Sequence, residues 1–116
     1  MSILETPEAM VAGWETGKKV KLGIFPKGSA QCDRVIPIDS PAPMKHPVLA
    51  RAPDGQILAV WTEGTGWNKG GGIGWQLFDA SLRPISKITR ILGSVPTWSF
   101  AAVYYDQEDR NFYIVH

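Results

Sequence analysis

Three features of this sequence predict an all-β fold. Apolar residues recur in short runs with a period of two rather than 3.6. Twelve glycines and nine prolines punctuate those runs with turn chemistry. A short pattern of small apolar residues, an aromatic, an acid, a turn and a strand occurs three times. No stretch carries a convincing amphipathic-helix pattern, and residues 5–11 offer one helical turn at most.

Residues 10–15 and 19–25 read as a hairpin turning near 16–18. In its second arm Val20, Leu22 and Ile24 alternate with Lys21, Gly23 and Phe25. Residues 33–38 read as a short strand, placed at an edge by Pro37, which has no N–H to donate. Residues 46–52 form the next strand, and Asp54-Gly55 is a tight-turn signal leading into Ile57. Residues 57–62 are apolar on both faces apart from Thr62, as expected of a strand buried on both sides. Its partner carries Ile73, Trp75 and Leu77 on one face and Gly72, Gly74, Gln76 and Phe78 on the other. Those glycines leave room for a neighbouring sheet or backbone to approach closely. Residues 85–92 read as an outer strand, 98–105 as a further strand and 111–116 as the last.

A chain of 116 residues makes one small domain at most. With 44% hydrophobic and 20% charged residues and a net charge of +1, nothing electrostatic points to nucleic acid or an anionic membrane as partner. No apolar run is long enough to cross a bilayer as a helix. The first residues, MSILETPE, lack the basic and apolar regions of a signal peptide. The chain is therefore expected to be cytosolic or a piece of something longer. Cys32 is the only cysteine, so an internal disulfide and a cysteine-based zinc site are both excluded. No cofactor is implied.

Aligning the repeated motif places Trp14, Trp61 and Tyr104 in register, 47 and 43 residues apart. Multi-strand repeats of about 40–50 residues mark β-propeller blades. The chain then reads as about two and a half four-stranded blades: half a blade over 8–30, a full blade over 31–92 and half a blade over 93–116. Blades bury their faces against neighbouring blades, so a partial propeller leaves flat apolar faces open. Either copies of the chain complete a ring or a longer chain supplies the rest. The bland alternative is a small open sheet or sandwich.

The run HPVLARAPDGQILAVWTEGTGWNKGGGIGWQLFD, followed by PTWSFAAVYYDQEDRNFYIVH, resembles the C-terminal part of bacterial sialidase-like (BNR-repeat) β-propeller proteins. The segment VAGWETGKKVKLGIF resembles the preceding blade. The resemblance implies a six-bladed propeller, an exported location and a glycan-related context for the full-length family. It carries no catalytic residue onto this chain: nothing matches the arginine triad, the Tyr–Glu pair or the acid/base Asp residue by residue. The Asp-box pattern Ser-x-Asp-x-Gly-x-x-Trp is also absent.

The candidate site lies around the loop between the two central strands. Trp61, Glu63, Trp67 and Asn68 are the expected ligand contacts. A loop tryptophan such as Trp67 serves either as a lid over the core or as a platform for a sugar ring. Glycoside hydrolysis needs two carboxyls across the scissile bond, or a tyrosine nucleophile with its own base. Glu63 shares its repeat position with Glu15 and Asp106, as expected of acids that cap turns or pair with a neighbouring blade. Tyr104 and Tyr105 read as packing residues, and His46 and His116 do not make a metal site. The expected function is thus a non-catalytic, sialidase-like propeller segment that is structural or binds carbohydrate. The alternative is part of an active exo-glycosidase completed by a longer chain or by self-association.

Overall fold

The computed structural model describes residues 1–66, 68–97 and 99–116. Ten strands form three antiparallel sheets, and the described residues contain no helix. The first sheet has the order β1(Ser2–Glu5), β2(Ala9–Thr16), β3(Lys19–Pro26), β4(Arg34–Pro37). The second runs β5(Met44–Arg51), β6(Ile57–Glu63), β7(Gly71–Phe78), β8(Thr89–Val95). A hairpin of β9(Ala102–Asp106) and β10(Asn111–Val115) makes the third. Each sheet is an up-and-down meander in chain order, and none is closed.

Local chemistry accounts for the turns. Thr16 pairs with Lys19, leaving Gly17 and Lys18 as the two loop residues, both at positive φ (54° and 67°). That is the mirror-image turn whose twist matches a two-residue hairpin. Between β5 and β6, the Gly55 N–H donates to the Ala52 carbonyl, and Gly55 sits at φ 98°. The Asp-Gly signal therefore makes the turn its sequence suggests.

All seven residues of β6 are buried. Period-two alternation sends Ile57, Ala59 and Trp61 to one side, where they pack with Val11, Val20 and Leu22 of the first sheet. Leu58 and Val60 face the other side, against Ile73 and Ala101, with Val103, Phe112 and Ile114 of the hairpin packed on them. The second sheet is thus the middle layer of a three-layer stack. Its leading strand β5 touches β1 on one side and β9 on the other, so the first strands of the three sheets lie side by side.

Several elements differ from expectation. Residues 2–5 form a strand, pairing Leu4 with Val11, and no helical turn precedes β2. Arg34–Pro37, expected within the 31–92 segment, pairs instead with β3, so β1 and β4 together bring the first sheet to four strands. The outer strand of the second sheet begins at Thr89, not at residue 85. Pro84 makes only an isolated bridge with Phe78, and the Ile85 N–H donates to the Leu77 carbonyl at 2.9 Å. The Leu77 N–H, however, goes to the Ser86 hydroxyl at 2.9 Å, so regular pairing resumes only at Thr89. The strand expected over 98–105 is Ala102–Asp106.

The glycines of β7 do two different jobs. A Cβ on Gly74 would lie 2.5 Å from Trp61 Nε1, so Gly74 is the floor on which the Trp61 indole lies. A Cβ on Gly72 would lie 2.5 Å from the Ile91 carbonyl, where the register between β7 and β8 shifts.

The stack ends in two uncovered faces. On the first sheet, Met1, Ile3, Met10, Trp14 and Phe25 line a shallow apolar depression of about 390 Å³. On the hairpin, Tyr104 stacks on Tyr113 with ring centroids 5.3 Å apart, and Tyr104 and Val115 are exposed.

Candidate functional site

Glu63 ends β6 and, although ionisable, is only 3% exposed. Its side chain follows Trp61 on the same strand face, toward the first sheet. Three donors converge on it. The Ser40 hydroxyl donates to Oε1, Trp61 Nε1–H donates to the same oxygen at 2.9 Å, and Arg90 Nε donates to Oε2 at 2.6 Å. Ser40 and Trp61 are fully buried, whereas the Arg90 side chain keeps about a third of its surface (32%). Burial alone would raise the Glu63 carboxyl pKa. The hydrogen bonds from Ser40, Trp61 and Arg90, with the Arg90 charge, outweigh burial and hold it below the usual glutamate value.

This carboxylate ties three parts of the chain together. Ser40 belongs to the segment linking the first two sheets, and Lys19 Nζ donates to its carbonyl at 2.7 Å. Arg90 comes from β8, the far edge of the second sheet. With both oxygens engaged and almost no exposed surface, Glu63 joins link, core and edge strand. Neither Glu63 nor Trp61, which is 0% exposed, offers a surface to a ligand.

The two other acids at the repeat position bind backbone N–H groups instead of side chains. Glu15 Oε2 accepts the His46 N–H at 2.9 Å, bridging the first sheet to the second. Asp106 Oδ1 accepts the N–H groups of Glu108 and Asp109 at 2.8 and 3.2 Å, capping the last hairpin turn.

An open cleft lies beside the loop that follows Glu63. It has a volume of about 330 Å³, and Lys45, His46, Thr65, Lys69, Ser99 and Phe100 line it. One wall is a bulge in β5, where the pairing with β6 shifts between Lys45 and Val48. The opposite wall is a tight turn in which Gly66 and Lys69 exchange backbone hydrogen bonds of 3.3 and 3.1 Å. Asn68, exposed and at φ 53°, sits in that turn. Trp67, the expected stacking platform, lies outside the described residues.

Elsewhere the aromatic pairs pack. Tyr105 meets Phe112 edge-on at 5.1 Å, while Tyr113 donates its hydroxyl to Asp109. That hydrogen bond, with the carboxylate charges of Asp109 and Asp106, pushes the Tyr113 phenol above its ordinary value. Cys32 is half-buried, with its thiol directed at the carbonyls of Ile24 and Arg34. Among the described residues no three His, Cys, Asp or Glu side chains cluster as a metal site would require.

Comparison with family models, with curated proteins and with solved structures finds no match for this chain.

Sequence reasoning picked out Glu63 but missed Ser40 and Arg90, its partners 23 and 27 residues away. It also weighed His46 apart from Lys45 and Lys69. The available signal was His46-Pro47 at the head of a strand, a sequence that disturbs regular pairing.

Proposed function

We propose that the chain is a sialidase-like β-propeller segment that is not catalytic by itself and serves as a structural or carbohydrate-binding module. The observation that carries this reading is the stack. Three up-and-down antiparallel sheets follow one another face to face in chain order, with their first strands adjacent. Consecutive propeller blades share these features, which supports the reading. The apolar faces at both ends of the stack support further sheets beyond them, supplied by a longer chain or by copies of this one. The loop cluster around Asn68 is the surface offered to a saccharide, with Trp61 and Glu63 as its buried support. The engaged state of Glu63 favours a supporting role for that carboxylate over a chemical one.

One observation favours the alternative of an exo-glycosidase. Tyr113 has a carboxylate partner in Asp109, the pairing a tyrosine nucleophile needs. The Asp109 hydrogen bond raises the Tyr113 phenol pKa, which makes the phenolate harder to form and weakens that reading.

The test is to titrate the purified chain with a panel of saccharides and to incubate it with an aryl sialoside. Saturable saccharide binding without hydrolysis is expected. Hydrolysis lost in Tyr113→Phe would establish the alternative, and absence of any saccharide binding would leave only the structural role.

A further inference from the structure

The cleft beside the Gly66–Lys69 turn has a lining that the carbohydrate reading does not by itself explain. Lys45, His46, Thr65, Lys69 and Ser99 all line one space, together with the apolar Phe100, and no Asp or Glu lines it among the described residues. The Glu15 Oε2 accepts the His46 N–H at 2.9 Å.

The backbone is shaped to present these groups. His46 lies at φ 53°, a left-handed conformation uncommon for a residue with a Cβ. It sits inside the β5 bulge, and bulges re-aim side chains beside functional sites. Two side chains pin the bulge: Glu15 accepts from the His46 N–H, and the Thr62 hydroxyl donates to the Lys45 carbonyl at 3.1 Å. Phe100, itself 61% exposed, meets the His46 ring edge-on at 4.4 Å. Across the cleft Asn68 is also left-handed (φ 53°), in the turn that carries Lys69. The backbone that carries Lys45 and Lys69 is therefore braced on both sides of the cleft.

We propose that this cleft binds the tetrahedral oxyanion of a sulfate or phosphate ester carried on a saccharide. Lysine ammoniums are compact charges with three divergent donors, and they suit an oxyanion with several acceptors in different directions. A planar carboxylate is matched best by the guanidinium fork, and no arginine lines this cleft among the described residues. Phe100 adds an exposed apolar ring beside the charge, suited to the face of a sugar. The saccharide as carrier rests on the carbohydrate reading above; the anion site does not.

The experiment follows backbone amide shifts of the labelled chain during titration with inorganic sulfate, inorganic phosphate, and sulfated, phosphorylated and unmodified forms of one saccharide. Sulfate and phosphate are expected to shift Thr65, Lys69 and Ser99. The esterified saccharides should bind about tenfold tighter than the unmodified one. The double substitution Lys45→Ala with Lys69→Ala should abolish both effects. Removing Lys27 and Lys87 instead, away from the cleft, should leave them unchanged. Equal binding of esterified and unmodified saccharides overturns the anion site while leaving the carbohydrate reading intact. Equal loss in the control variant also overturns it, since the charge effect is then not local. Lysine-dependent binding of the free anions, with no gain from a saccharide, upholds the oxyanion site and refutes the saccharide carrier.

Discussion

Replacing Glu63 with alanine should destabilise the fold more than any other single change at the loop end of the second sheet. The substitution leaves the Ser40 hydroxyl and the Trp61 N–H, both fully buried, without their acceptor. A buried polar group stripped of its partner costs about 1–3 kcal/mol, and breaking a buried ion pair from one side costs about 3–5 kcal/mol. Arg90 keeps about a third of its surface (32%), so it can rehydrate and does not add its full charge penalty. A loss of about 3–5 kcal/mol is expected, which in a domain of this size lowers Tm by roughly 12–20 °C. Glu63→Gln keeps one acceptor oxygen and should lose roughly half as much. The pH dependence has a defined sign. The folded Glu63 pKa is depressed, so its contribution is complete above the unfolded glutamate value of about 4.3 and is lost as pH falls through the lower folded value. The acid limb of the wild-type stability curve should therefore flatten in Glu63→Gln. Thermal melts by circular dichroism across that range measure both effects. A Glu63→Ala protein melting within about 3 °C of wild type, equivalent to under 1 kcal/mol, would refute the tie between link, core and edge strand.

Gly74→Ala places a Cβ against the Trp61 indole, whose floor is this glycine, and should cost about 1–3 kcal/mol in a denaturant titration. Asp109→Asn removes the carboxylate that raises the Tyr113 phenol pKa, so the Tyr113 ring signal should titrate at lower pH than in wild type. Because that folded pKa is raised, the stability it brings is present below the ordinary tyrosine value of about 10 and lost as pH rises through the folded one.

The parts of the fold legible in the sequence are those set by local chemistry. β6 is apolar on both faces, and burial of all seven residues follows from that pattern. Gly17 and Gly55 mark turns because few other residues accept their positive φ. β1 was not legible, because four residues before Pro7 are too few to show a period. The late start of β8 depends on the Ser86 hydroxyl taking a ladder position, which composition does not reveal. At the candidate site, Glu63 stood out through its repeat position, and its burial did not. Ser40 and Arg90 come from other segments, and no spacing rule connects a link serine, a strand-end acid and an edge-strand arginine. The cleft was hidden for the same reason: a bulge brings Lys45 and His46 to the space lined by Lys69, which is 24 residues from Lys45 in sequence.

The central claim, that the stacked sheets are a propeller segment with open ends, is tested most directly by the solution mass of the purified chain. Light scattering behind a sizing column should show concentration-dependent self-association. Ile3→Lys with Met10→Lys, on the uncovered face of the first sheet, should reduce it while preserving the strand signal. A folded wild-type chain that stays monomeric at high concentration would contradict the claim and leave a self-contained three-sheet fold.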